Sequence, residues 1–147
     1  MPELLEFTVD KFTFQVATDR LYTEAGVWAR LEGALVRIGI SDFLQQRSGD
    51  VAFAEVKPTG TPLYYDDEVA VIETIKVDIS LGSPVSGTIM EFNSALEITP
   101  EVINQDPYSG GWLALLEATD WVADRARLLD PQAYFEKIKQ QAEEETR

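Results

Sequence analysis

Ala70-Val71-Ile72-Glu73-Thr74-Ile75-Lys76-Val77-Asp78-Ile79 is the stretch whose reading decides the fold. Its β-branched residues favour a strand, and the polar, turn-rich Ser80-Leu81-Gly82-Ser83-Pro84 follows shortly after. Lys76 closes the run. An ammonium group is strongly hydrated, so it ends an apolar strand only where it points out of a turn. This placement presents a single amine to solvent on a stiff support. It suits a covalent attachment point for a swinging cofactor, on a carrier rather than an enzyme.

Outward from Lys76 the chain reads as short strands punctuated by Gly and Pro. Val51 to Val56 forms one strand, Lys57-Pro58-Thr59-Gly60-Thr61-Pro62 turns, Glu68 to Ile75 forms the next, and Gly87 to Phe92 another after the Pro84 turn. Upstream, Phe7 to Val16 is rich in strand formers, and Trp28 to Ile40 reads as a hairpin that turns near Glu32-Gly33. Ser41 offers an N-cap for a short helix through Gln46. Thr99-Pro100 is expected to open another, with Thr99 as the cap. Trp112 to Glu117 is a strand or a buried segment. From Thr119 the tail reads as helix, with Trp121, Val122, Arg125, Leu128 and Leu129 at helical spacing. Asp130-Pro131 restarts a helix on which Tyr134, Phe135, Ile138 and Ala142 share a face, ending frayed at Glu143-Glu144-Glu145. Strands at this spacing predict a mainly β sandwich or barrel with a C-terminal helical extension. One domain over 1–147 is expected, with its core in about 20–117 and its helices in about 119–145.

Composition removes most chemistry. The 147 residues include no Cys and no His, so there is no thiol nucleophile, no zinc–thiolate site and no imidazole base. A redox role would need a borrowed group. With 26 acidic against 12 basic residues the net charge is −14, which argues against nucleic acid and against anionic membrane surfaces as partners. The charge serves solubility or steers the chain toward basic faces of larger partners. No apolar run approaches the roughly 20 residues of a membrane span, and the acidic start Met1-Pro2-Glu3-Leu4-Leu5-Glu6 lacks a secretory signal pattern, so a cytoplasmic location is expected. The acidic run Tyr64-Tyr65-Asp66-Asp67-Glu68 has no calcium-loop glycine or downstream bidentate Glu, and reads as solvated surface.

Several ordered blocks then carry a resemblance. Ile38-Gly39-Ile40-Ser41-Asp42, Gly49-Asp50-Val51, Glu73-Thr74-Ile75-Lys76, Pro84-Val85-Ser86-Gly87-Thr88-Ile89 and Asp106-Pro107-Tyr108-Ser109-Gly110-Gly111-Trp112 together resemble the H-protein family of the glycine cleavage system, across roughly Tyr22 to Glu117. The resemblance implies a lipoyl-domain-like hybrid barrel-sandwich, with lipoic acid in amide linkage on Lys76. The amide would remove the lysine charge, and the dithiolane would supply chemistry that this chain lacks. Glu73, three residues before Lys76, would be read by lipoate-attaching enzymes, or is a solvated strand residue. Gly87 belongs to the same frame, in the block after the hairpin.

The chain also departs from the family pattern. Where the family reads Ser-His-Glu before its Trp, this chain has Ala25, Gly26 and Val27 before Trp28, and where an Asp follows the lysine by four residues it has Ser80. In the family that Ser, Glu and Asp lodge an amine-loaded arm, and a cationic amine docked without them loses charge-assisted hydrogen bonds. Asp78 or Glu24 could substitute. Keeping the lipoylation frame while losing these residues, the chain looks like a related group, the lipoate-binding proteins of sulfur oxidation, and that resemblance implies a heterodisulfide-reductase-like complex as partner. The alternatives are an H protein working with the glycine cleavage enzymes and an unmodified interaction domain. A monomer is expected, because a carrier arm must visit several partners.

Overall fold

The structure, a computed structural model, describes residues 2–146. In chain order the strands are β1 (Leu4–Val9), β2 (Phe12–Ala17), β3 (Leu21–Tyr22), β4 (Val27–Glu32), β5 (Leu35–Ile40), β6 (Val51–Val56), β7 (Pro62–Leu63), β8 (Glu68–Thr74), β9 (Asp78–Gly82), β10 (Gly87–Phe92) and β11 (Ala114–Ala118). The α-helices are α1 (Asp42–Ser48), α2 (Val102–Gln105), α3 (Trp121–Arg125) and α4 (Pro131–Glu145), and a 3-10 turn spans Ser94–Glu97.

Two sheets make a barrel-like sandwich. One has the order β3-β4-β5-β11-β10-β7, and the other is β6-β8-β9. The core lies between them. β4 and β5 contribute Val27, Ala29, Val36, Ile38 and Ile40, and β8 contributes Val69, Ala70 and Ile72. Adjacent residues Val69 and Ala70 can both be buried because the β8–β9 register shifts between Glu68 and Ala70. Beyond that irregularity β8 alternates: Ile72 is buried, while Glu73 faces outward.

A second apolar cluster brings residues from both ends of the chain, outside the expected 20–117 core, against residues within it. The hairpin β1–β2 supplies Phe7 and Phe14, α1 supplies Phe43, and α4 supplies Tyr134, Ile138 and Ala142, all against Tyr22 and Trp28. Tyr22 and Tyr134 stack with ring centroids 4.4 Å apart. The amphipathic face expected on the last helix is the one buried, and Asp130 caps it with Pro131 in the first turn.

Two local expectations are corrected. Thr99 does not cap a helix: α2 starts at Val102, and the Thr99 hydroxyl instead donates to the Ala95 carbonyl. The stripe from Trp121 to Leu129 is not one helix. α3 stops at Arg125, and Leu129 pairs its backbone with Tyr22 as an isolated bridge. That edge pairing extends the large sheet and wins over helical periodicity. The Trp112 segment resolves as β11, starting at Ala114. No helix among the described residues is long and apolar enough to cross a membrane.

Candidate carrier site

Lys76 stands in the turn Ile75–Val77 that joins β8 to β9 and is exposed. Thr74, the last residue of β8, holds that turn. Its backbone N–H donates to the Val77 carbonyl at 2.9 Å, and its hydroxyl donates to the same carbonyl at 2.9 Å. The hydroxyl oxygen also accepts from the N–H of Lys76 at 3.2 Å and of Val77 at 3.0 Å. One threonine thus satisfies the polar backbone of a turn that would otherwise fray. A Thr just before a tight turn is the signal that could have identified it.

The tip of the hairpin is tied to the loop between α1 and β6. Ile75 donates to the Asp50 carbonyl at 3.3 Å. The methylenes of Lys76 run over Gly49, where a Cβ would lie 3.5 Å from Cε. Asn104 braces this loop from below: its amide donates to the Gly49 carbonyl and to Gln45 Oε1, each at 3.0 Å, and its carbonyl oxygen accepts from Val51 N–H at 2.9 Å. Thr74 and Asn104 are positioning residues that the sequence reading did not single out. Lys76 itself makes no ion pair among the described residues.

Glu73 is exposed on the outer face, directly opposite Phe53 on β6 and Asp78 on β9. It shares the hairpin with Lys76. Gly87 sits elsewhere. It opens β10 in the large sheet, between Leu63 of β7 and Ala118 of β11, and a Cβ there would come within 2.2 Å of the Glu117 carbonyl. Its visible role is close strand packing, not contact with the Lys76 turn.

The four departures each have a structural consequence. Ala25 is exposed. Val27 is 1 % exposed, in the main core. Gly26 has φ +99°, and a Cβ there would lie 3.0 Å from the Tyr134 hydroxyl. Ser80 donates to Glu68 Oε1 at 2.7 Å, and Glu68 pairs with Lys57 at 3.0 Å. The Ser80 hydrogen bond first, then Lys57, holds the Glu68 carboxyl below its ordinary range.

Comparison with known proteins decides the family. The model of the glycine cleavage H-protein family matches residues 20–141. The chain belongs to the glycine cleavage H-protein family. The H protein of Thermus thermophilus is 40% identical over 127 residues, covering 86% of this chain and 98% of that one. A probable glycine cleavage system H protein 1 of Saccharolobus solfataricus is 39% identical over 127 residues, covering 86% and 93%. The crystal structure of an H protein from Mycobacterium marinum superposes with a TM-score of 0.77 at 28% identity, covering 84% of this chain and 99% of that chain. H proteins bear a covalent lipoic acid on a lysine and act as carriers, not catalysts, so the chain is a carrier protein.

Proposed function

We propose that this H-protein family member carries lipoic acid in amide linkage on Lys76 Nζ, and that the arm conveys the aminomethyl group of glycine between the glycine cleavage enzymes. The observation that carries the attachment site is the turn itself: one unpaired amine, on a tip that Thr74 pins through four hydrogen bonds. The cargo assignment leans on the relatives, which are named as glycine cleavage H proteins along nearly their whole length. When bound, the dithiolane supplies the redox and carrier chemistry, and the tether raises the local concentration of cargo at each partner. Glu73 fits recognition by the attaching enzyme. A cytoplasmic, monomeric protein goes with this reading.

Intact mass of the protein from a lipoylating host tests attachment. A lipoyl adduct is expected on the wild type and absent from Lys76→Arg. An unmodified wild type would favour the interaction-domain reading instead.

A second reading rests on a specific observation. Ala25, Gly26, Val27 and Ser80 leave the family's amine-lodging positions without free carboxylates. That pattern suits an arm loaded with oxidised sulfur and served by a heterodisulfide-reductase-like complex. Loading the lipoylated protein with glycine and its decarboxylase separates the two. Efficient aminomethyl transfer supports glycine cleavage, and failure with an active decarboxylase supports sulfur oxidation.

A further inference from the structure

A groove of about 640 Å³ runs along β6, between its outer face and the 3-10 turn Ser94–Glu97. Phe53, Val71, Phe92 and Ile98 give it apolar walls. Phe53 is 67% exposed and Ile98 83% exposed, and the groove gathers both into one apolar patch. The rim is acidic. Glu55, Glu73 and Glu97 line the groove, no Lys or Arg does, and none of the three makes an ion pair or side-chain hydrogen bond among the described residues. Asp78, opposite Glu73 across the β8–β9 ladder, adds charge on the same face.

This combination selects the chemistry of an occupant. An apolar trough edged by unpaired carboxylates fits a protein segment that presents an aliphatic or aromatic residue flanked by Lys or Arg. Position selects which partner brings it. Glu73 lines the groove and lies on β8 three residues before Lys76, so a segment seated there lies about 10 Å along the chain from the lysine. An enzyme acting on the far end of a long arm needs no such proximity. The enzyme that makes the amide does, because its reacting atoms must reach Nζ itself. In that step Nζ gives up a proton and bonds the carbonyl carbon of an acyl adenylate, the acyl–phosphate bond breaks, and AMP leaves.

We propose that the β6 groove is the docking surface for the lipoate-attaching enzyme, which inserts a basic, apolar-tipped segment between Phe53 and Ile98. The proposal rests on attachment at Lys76. It is independent of the cargo the arm later carries.

The test is steady-state acylation of the full chain by a lipoate–protein ligase with lipoate and ATP, followed by intact mass. Phe53→Ser with Ile98→Ser is expected to raise KM for the carrier at least about fivefold at unchanged kcat, since docking is lost while the lysine is untouched. Glu55→Gln with Glu97→Gln is expected to flatten the salt dependence of kcat/KM. Tyr64→Ser removes another highly exposed aromatic, 80% exposed and outside the groove, and is expected to leave KM unchanged. Unchanged KM in the Phe53/Ile98 variant, or an equal rise with Tyr64→Ser, overturns the docking surface. A wild type that the ligase does not acylate overturns the attachment reading itself.

Discussion

The hydroxyl of Tyr134 lies 2.7 Å from Ser41 Oγ, and this contact closes the space beside Gly26. Ser41 Oγ also accepts from Leu44 N–H at 3.1 Å, capping α1. One residue of α4 thereby locks the cap of α1 and the turn into β4. Burial pushes the Tyr134 hydroxyl well above its ordinary pKa, so it stays protonated and available to donate.

Gly26→Ala is expected to destabilise the protein by about 1–3 kcal/mol, through the left-handed backbone at φ +99° and the close Tyr134 hydroxyl. Tyr134→Phe is expected to cost about 0.5–1.5 kcal/mol. Because the two residues meet, Gly26→Ala should cost less in the Tyr134→Phe background. Urea midpoints of the four proteins check this, and strict additivity would refute the contact.

Thr74 offers a sharper probe of the Lys76 turn. Thr74→Val keeps the shape of the side chain and deletes the hydroxyl that serves Lys76 and Val77. A loss of about 0.5–1.5 kcal/mol in stability is expected, with acylation of Lys76 slowed severalfold because the tip samples more conformations. Thr74→Ser retains the hydroxyl and should restore both. Equal slowing in the Ser variant would mean the hydroxyl does not position the lysine.

Glu32 governs the acid response of the β4–β5 turn. Its hydrogen bond from Arg37, supported by Arg30, lowers its pKa from 4.5 to about 2. The folded-state value is depressed, so the pair contributes its full stability above about pH 4.5, and that contribution fades as the pH falls toward 2. Glu32→Gln should therefore narrow the gap in urea midpoint from wild type as pH drops through this window. A gap that stays constant from pH 6 to pH 2 would remove Glu32 from the acid transition.

Much of this arrangement is legible in the sequence. β6, β8 and β10 fall where β-branched alternation and turn residues place them, and Lys76 falls between two strands because a charge interrupts an apolar run. The helical face of Tyr134, Ile138 and Ala142 was also readable from its period. The groove beside β6 was not, since it joins Phe53 and Glu73 to Ile98 through tertiary packing that no local pattern encodes. The brace from Asn104 to Gly49 spans 55 positions and is equally silent in sequence. At Leu129, strand pairing with Tyr22 overrode a helical period because the large sheet still had a free edge to fill.

The two apolar clusters bear on whether 1–147 folds as one unit. Trp28, in the second cluster, lies between Val27 and Ala29, which belong to the first, so the same strand feeds both. We expect a single cooperative transition for that reason. Phe14 is 6% exposed in the second cluster, against Phe7 and Phe43. Phe14→Ala should cost about 3–5 kcal/mol and lower the unfolding of the whole protein, not of the hairpin β1–β2 alone. Far-ultraviolet dichroism follows the sheets, and near-ultraviolet dichroism follows packed aromatics such as Trp28. Coincident urea transitions by both probes, shifted together by the substitution, are the expected result. If the aromatic signal melts first while the sheet signal keeps its wild-type midpoint, the second cluster is a separately unfolding layer on the carrier core.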